Sequence, residues 1–151
     1  MRITTRGRYA LRASLALAIL GKEGEPISIS NLSEEEKISP VFLEQIFFKL
    51  RKAGIVNSVR GPGGGFCFAH PLDKLTVKAI LDAAGEDLSA SSCDKHTSEC
   101  ERIGGCISHK VWTSMTDLVN DYFRGITLAS LLESYHNPEQ TKDEIVQSQP
   151  Q

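Results

Sequence analysis

The sequence predicts a mainly α-helical fold that carries one small β-hairpin and ends in a long helix. Three observations predict it. Apolar residues recur at helical spacing up to Gly54, a glycine-rich loop then separates two short runs of strand character, and helical periodicity returns after Cys106. With 151 residues and 40% hydrophobic composition, the chain can bury one good core. We therefore expect one compact domain with an attached element.

Three helices are predicted before the hairpin. The first spans about residues 5–22, and apolar residues cover most of its circumference, which predicts a central, buried position. The second is two turns long and is capped by Ser28 or Ser30. The third has Ser39 as its N-cap and Pro40 at the first helical position, where the missing N–H costs nothing.

A β-hairpin is predicted directly after the third helix. Residues 55–59 and 66–69 have strand character, and the loop RGPGGG at 60–65 joins them. A further short helix begins at Thr76. This order of elements predicts a winged helix-turn-helix, in which one helix enters the major groove of DNA, although an ordinary small α+β domain is the alternative. We assign residues 1–86 to this predicted DNA-binding domain.

Three segments follow the predicted domain. Residues 87–105 are polar and rich in Ser, Cys and Gly, which predicts a loop. Residues 106–136 contain a long helix and a short one capped by Thr127, and the polar residues 137–151 predict a disordered tail. The apolar strip of the long helix is wider than one small core needs, which is typical of a helix that pairs two copies of a chain. The residues expected at this homodimer interface are Val111, Met115, Leu118 and Tyr122.

The composition favours a cytoplasmic protein. The opening residues MRITTRGRY are polar and basic, and no apolar run is long enough for a membrane span, so neither export nor membrane insertion is expected. Four cysteines in such a chain indicate a reducing compartment.

The charge is unevenly distributed along the chain. The first 65 residues hold 10 of the 17 Lys and Arg residues but only 6 of the 19 Asp and Glu residues, which gives +4. The remaining residues carry −6, so that the total is −2. A basic first half indicates contact with a polyanion, although uneven solvation gives the same asymmetry.

Four candidate metal ligands lie where the predicted loop meets the long helix: Cys93, Cys100, Cys106 and His109. Thiolates are soft donors typical of iron–sulfur clusters, and His109 follows Cys106 by about one helical turn. A structural zinc site can use the same donors, but its ligands usually come in pairs about two to four residues apart. A thiol redox switch is the third interpretation. Four protein ligands leave no open metal position, so we do not expect an enzyme.

Residues 1 to about 134 resemble the IscR-type winged-helix regulators, a family that includes the iron–sulfur cluster regulator and the nitrite-sensitive repressor. The resemblance lies in MRITTRGRYALRA, in ISPVFLEQIFFKLRKAGIVNSVRGPGGGF and in three cysteines ahead of a long helix. It implies a homodimeric transcription regulator or repressor that binds a pseudo-palindromic operator in double-stranded DNA and senses cluster status, oxygen or nitric oxide. No small-molecule substrate is expected.

The resemblance also implies a two-iron, two-sulfur (2Fe-2S) cluster held by Cys93, Cys100, Cys106 and His109. In this chain the spacing between the first two cysteines is one residue longer than is usual in the family. Zinc is the alternative cofactor.

DNA contacts are expected from the third helix, the hairpin loop and the N-terminal segment. A glutamate such as Glu44 suits cytosine N4 and a glutamine such as Gln45 suits adenine, although a solvated Glu44 is the alternative. The resemblance makes Glu44 the family's discriminating glutamate. Arg60 begins the loop, and an arginine gains from the negative potential of a narrow minor groove. The loop lacks the Gly-Lys-Ser/Thr ending of a nucleotide-binding P-loop. The expected DNA-binding residues are Arg2, Arg6, Arg8, Ser39, Val41, Glu44, Gln45, Lys52, Arg60, Gly61 and Gly63.

Overall fold

The structure, a computed structural model, describes residues 1–92, 100, 102 and 104–137. Its elements are α1 Thr5–Leu20, α2 Ile29–Glu36, α3 Pro40–Lys52, β1 Val56–Val59, β2 Gly65–Phe68, α4 Val77–Ala84, α5 Ile107–Arg124 and α6 Leu128–His136, with a 3-10 turn at Lys22–Gly24. The mainly helical architecture with one hairpin is therefore confirmed. Cys93 and the predicted tail beyond Asn137 lie outside the described residues. No helix in the described ranges is long and apolar enough to cross a bilayer.

Short polar side chains set the starts of most helices. A Ser or Thr hydroxyl accepts a hydrogen bond from the backbone N–H three residues later at Thr4, Ser28, Thr76 and Thr127. Ser39 occupies the N-cap position of α3 as predicted, but its side chain makes no capping hydrogen bond. Pro40 at the first helical position fixes the backbone there instead.

The helix and strand ends differ from the prediction by one or two residues. Helix α1 ends at Leu20 rather than near residue 22, because the Gly21 N–H closes the last turn on the Leu17 carbonyl and a 3-10 turn follows. Strand β1 starts one residue later than predicted, and β2 covers 65–68 instead of 66–69. Helix α5 starts one residue later, since Cys106 is its N-cap.

Helix α1 lies at the centre of the core, as predicted. It packs on α2, α3, α4, α6 and β2. Ala10, Ala13 and Ala16 on its buried side are small, so neighbouring helices can approach closely. Around them packs a set of fully buried large side chains, namely Leu17, Leu32, Leu43, Ile46, Phe47, Leu50, Ile80 and Leu128.

The hairpin, called the wing below, is held against the core from two sides. Strands β1 and β2 pair antiparallel, from Val56 with Phe68 to Val59 with Gly65. Phe66 also bridges to Ile27, with backbone N···O distances of 2.9 Å in both directions. The Phe66 ring lies 4.9 Å from the ring of Phe47 on α3. The wing therefore has a fixed position relative to α3.

Helix α5 differs from the other helices because none of its residues is buried. Near its C-terminal end, Phe123 packs on a small cluster that contains Val77 and Leu81 of α4. The chain then returns to the core: the Leu128 N–H donates to the Leu75 carbonyl at 2.8 Å, and the Leu128 side chain is fully buried. In the part of the chain that the structure describes, α5 is thus attached to the core along α4, and its other sides are not covered.

Candidate nucleic-acid interface and cysteine site

One side of α3 is free of the core and carries most of the predicted base-contacting residues. The inward side is set by Leu43, Ile46, Phe47 and Leu50, all of which are buried. Because a helix turns by about 100° per residue, the intervening positions share the opposite side. We call this side the recognition face, and its members are Val41, Glu44, Gln45, Phe48, Arg51 and Lys52, all exposed.

Phe48 is a member of the recognition face that the sequence analysis missed. Its side chain is 57% exposed, whereas the adjacent Phe47 is fully buried. The Arg51 guanidinium lies 5.7 Å from the centre of the Phe48 ring, within the range of a cation–π contact. The helical spacing of Val41, Glu44 and Phe48 could have placed Phe48 on this face. An aromatic residue within an apolar run is, however, first interpreted as part of the core.

The wing loop presents Arg60 beside backbone in unusual conformations. Arg60, Gly61 and Gly63 are all exposed. Gly61 and Gly63 have φ angles of 93° and 73°, in the region that favours glycine, and the Gly64 N–H donates to the Gly61 carbonyl at 2.9 Å. The loop is therefore a tight turn that holds Arg60 on the surface.

The N-terminal arginines lie close to α3. Arg2, Arg6 and Arg8 are exposed, and together with Phe42 of α3 they line one open groove. Three arginines that line one groove make it a suitable site for a phosphate backbone. The structure thus brings the N-terminal segment and the third helix together, which are separated by more than thirty residues in the chain.

Glu86 holds this N-terminal segment in place, and the sequence analysis did not identify it. Its side chain is 8% exposed and accepts hydrogen bonds from the Thr4 hydroxyl and, at 2.9 Å, from the Thr4 backbone N–H. Burial alone would raise the pKa of Glu86, but these hydrogen bonds, one from the Gly7 backbone and the charge of Arg6 together lower it.

The described part of the cysteine site lies at the start of α5. Cys106 is the N-cap, and its Sγ lies 3.1 Å from the Ser108 hydroxyl. This contact and the His109 backbone N–H lower the pKa of the Cys106 thiol, which favours the thiolate that metals bind. The His109 Nδ1 is buried, and none of the described residues forms a hydrogen bond with it. Cys100 is exposed.

The donors described here fit a soft-metal site in their chemistry. A thiol with a lowered pKa and an imidazole nitrogen without a partner among the described residues are groups that a bound metal would satisfy. Among the residues described in this region, no three potential ligands form a metal-binding group. The fourth predicted ligand, Cys93, lies outside those residues.

An exposed apolar strip runs along α5. The four residues predicted for a dimer interface, Val111, Met115, Leu118 and Tyr122, are all exposed, and Ile107 extends the strip by one turn. These five residues, called the α5 strip below, lie within about 40° of one line along the helix, given 100° per residue. A strip of this kind is typical of a helix that packs on another molecule.

Comparisons with known proteins agree with this architecture. The model of the Rrf2 family, described as an iron-dependent transcriptional regulator, matches residues 3–134. The HTH-type transcriptional regulator IscR of Erwinia tasmaniensis is 38% identical over 134 residues, which cover 89% of this chain and 80% of that protein.

Two solved structures are also similar to this chain. IscR of T. potens has a TM-score of 0.71 at 28% identity, over 89% of this chain and 88% of its own. CymR (YrzC), the global cysteine regulator of B. subtilis, has a TM-score of 0.69 at 28% identity, over 87% of this chain and 95% of its own. The winged-helix architecture predicted from the sequence is shared with these regulators.

Proposed function

This chain belongs to the Rrf2 family of transcriptional regulators, and we propose that it acts as a homodimer that binds a pseudo-palindromic operator and whose binding is modulated by a 2Fe-2S cluster. Its homologues are transcriptional regulators and not enzymes. The observation that carries the proposal is the recognition face, because it exposes base-reading and basic side chains beside the wing and the N-terminal arginines.

The proposed DNA contacts divide into reading and positioning contacts. Glu44 and Gln45 would read cytosine and adenine edges in the major groove, and Val41 would make an apolar contact. Arg60 would enter the minor groove from the wing, supported by the turn at Gly61 and Gly63. The residues that would neutralise or bind phosphates are Arg2, Arg6, Arg8, Ser39 and Lys52. The Ser39 hydroxyl suits this role because it does not cap α3.

The proposed dimer forms through the α5 strip. Leu118 is 71% exposed and Tyr122 is 66% exposed, which is unusual for large apolar side chains that lie together on one helix. Packing two such strips against each other would remove them from water and would place two recognition faces at a fixed separation. Operators with two related half-sites follow from that symmetry.

The proposed cluster ligands are Cys93, Cys100, Cys106 and His109. When bound, the cluster supplies a centre that responds to redox state and to small reactive gases. The chain supplies a thiol whose pKa is lowered and a histidine Nδ1 to which none of the residues in the described ranges is hydrogen-bonded. The described part of the loop before the cysteines is also tied to α5, since the Ala90 N–H donates to the Thr116 hydroxyl at 2.8 Å. A change at the ligands would therefore act close to the proposed dimer helix.

Anaerobic purification of the full chain tests the cofactor. We expect a coloured protein whose ultraviolet–visible and Mössbauer spectra are those of a 2Fe-2S cluster, and we expect His109→Ala to destabilise it. A colourless protein with stoichiometric zinc would overturn the cluster assignment. A metal-free protein whose cysteines cycle between thiol and disulfide would favour the thiol switch.

Selection of binding sites from randomised DNA duplexes tests the regulator function. The chain should enrich sites with two related halves, Arg60→Ala should weaken binding to them, and Glu44→Ala should relax the base preference at one position per half-site. Binding with and without the cofactor then shows whether the cluster modulates affinity. A chain that enriches no sequence at all would refute the proposed function.

A further inference from the structure

The aromatic ring of Phe48 lies near the middle of the recognition face. Counting about 100° per residue, Phe48 lies about 40° around α3 from Glu44 and about 60° from Gln45. It also lies about one helical turn beyond Glu44 along the axis. An exposed apolar side chain needs no explanation when it is isolated among solvated residues. Here it stands between the two side chains that are proposed to read bases.

Arg51, on the next turn of α3, contacts this ring and is itself hydrogen-bonded to the wing. The Arg51 guanidinium lies 5.7 Å from the ring centre, and the same guanidinium donates to the Ser58 hydroxyl on β1 at 3.4 Å. Arg51 therefore links the ring to the wing. A ring that a neighbouring side chain already restrains loses less rotational freedom when it contacts a ligand, so it suits a contact that discriminates between bases.

The chemistry of the ring restricts what it can recognise in DNA. A phenyl group forms no conventional hydrogen bond, and it carries no charge for a phosphate. On the edges of the bases in the major groove, the apolar group is the 5-methyl of thymine, and phenylalanine is one of the side chains that contact it. Glu44 and Gln45 can read only hydrogen-bonding groups. Without Phe48, the recognition face could therefore contact the thymine methyl only through Val41.

We infer that Phe48 is a specificity-determining residue that reads the 5-methyl group of a thymine in each operator half-site. The inference rests on the proposed function, since it needs α3 in a major groove. Phe48 follows Glu44 by four positions, which corresponds to about 6 Å along the helix axis. With α3 along the groove, this is about two base-pair steps of about 3.4 Å each. The thymine should therefore lie about two base pairs from the base that Glu44 reads.

Replacement of thymine by uracil tests the inference, because uracil lacks only the methyl group. Duplexes selected by the full-length chain are prepared with each thymine replaced in turn, and their dissociation constants are measured. One thymine per half-site should show a loss of about fourfold, the value expected for about one buried methyl group. In Phe48→Ala, binding to the thymine duplex should fall by at least that factor, and the difference between thymine and uracil should disappear at that position alone.

Val41→Ala is the matched control on the same face. At the position that Phe48 reads, Val41→Ala should still lose affinity when thymine is replaced by uracil. This should hold even if the variant binds the thymine duplex more weakly than the wild type does. Circular dichroism of both variants excludes a folding defect. The salt dependence of binding should be unchanged in Phe48→Ala, because Phe48 neutralises no phosphate.

The outcomes separate the inference from the proposed function. Specific binding in which Phe48→Ala and the wild type show the same uracil penalties at every position would overturn the role of Phe48 and leave the regulator intact. Normal DNA binding by Phe48→Ala together with a changed oligomeric state would also overturn it, because Phe48 would then be a protein contact. A wild type without any sequence preference would refute the proposed function itself.

Discussion

At the scale of single residues, the contact between Glu86 and the start of α1 connects the two ends of the proposed DNA-binding domain. The Glu86 carboxylate accepts from the Thr4 backbone N–H at 2.9 Å, and a Cβ at Gly7 would lie 2.6 Å from the Glu86 Cγ. Gly7 therefore leaves the space that the carboxylate occupies. Glu86 precedes the loop that leads to the cysteines, so it joins the start of that loop to the segment that carries Arg6.

Glu86→Gln should remove an acid-sensitive part of the stability. The pKa of Glu86 is lowered in the folded state, so its contribution is fully present above the unfolded pKa, near the ordinary value of 4.5, and is lost as the pH falls through the folded value. Loss of the hydrogen-bonded charge should cost about 1–3 kcal/mol near neutral pH. Urea unfolding between about pH 7 and about pH 3 should therefore show a smaller decline for the variant than for the wild type.

Glu35→Gln, on the exposed side of α2, is the control for this experiment. It removes the same charge without the burial or the Thr4 contact, so the difference between the two variants reports the effect of that contact. If Glu86→Gln and Glu35→Gln gave the same pH profile, the contact between Glu86 and Thr4 would have no measurable effect on folding.

Glu86 and Phe48 show which residues sequence reasoning misses. Sequence reasoning identified residues such as Glu44, Gln45 and Arg60 because each lies in a local pattern. In such a pattern, the residue type and its place in the helix or loop together indicate the role. Glu86 acts on a residue 82 positions away, and no local pattern encodes that contact. Phe48 was missed for another reason: an aromatic within an apolar helix reads as core until the packing shows which side of the helix is covered.

At the scale of elements, the wing needs glycine for two different reasons. Gly61 has a positive φ but open space around it, so only its backbone conformation favours glycine. Gly65 has a φ of 151°, and a Cβ there would lie 2.2 Å from the Ile27 carbonyl oxygen. The Ile27 backbone pairs with Phe66, so the position of the wing depends on this close approach.

Gly65→Ala should destabilise the protein more than Gly61→Ala. The first change must move β2 away from Ile27 and break backbone hydrogen bonds at 2.9 Å, which should cost about 2–4 kcal/mol. The second change only strains one turn residue, at about 1 kcal/mol. Chemical denaturation of the two variants measures the difference. Equal losses, or a larger loss in Gly61→Ala, would show that the wing is not held by its contact with Ile27.

The boundaries of the elements were predictable where capping residues mark them. Thr76 and Thr127 start helices as expected because their hydroxyls bond the third N–H that follows. The end of α1 was not predictable to the residue, since Gly21 and the 3-10 turn compete with one more turn of helix over the same sequence. The pairing of Ile27 with the wing has no local signal either, because it depends on how α1 and α2 pack.

At the scale of the whole molecule, the chain has a complete core without α5. Large side chains from α1, α2, α3, α4 and α6 fill the main cluster, and α5 contributes no buried residue. The sequence analysis assigned the apolar strip of α5 to a dimer interface from its periodicity and width, but it did not predict which helix would complete the core instead. Helix α6 does so, because it brings Leu128 into the core.

Leu118→Glu should convert the proposed dimer into a folded monomer. Leu118 is 71% exposed in the single chain, so a charge at this position should not destabilise the folded monomer. In a packed dimer interface, by contrast, two carboxylates would be buried against apolar surface. Sedimentation should show half the wild-type mass, with an unchanged circular dichroism spectrum. Affinity for a two-half-site operator should fall by at least about a hundredfold, since each half-site is then bound without the effective concentration that the partner supplies.

Lys110→Glu provides the matched comparison, because it introduces the same side chain about 100° around α5 from Val111 and off the strip. This variant should remain a dimer and should bind the operator with a modest loss at low salt, since it replaces a positive surface charge with a negative one. A dimer that survives Leu118→Glu, or one that both variants dissociate equally, would mean that the chains pair through another surface. The separation of the two recognition faces would then be set by contacts other than α5, and the half-site spacing would have to be derived from that surface.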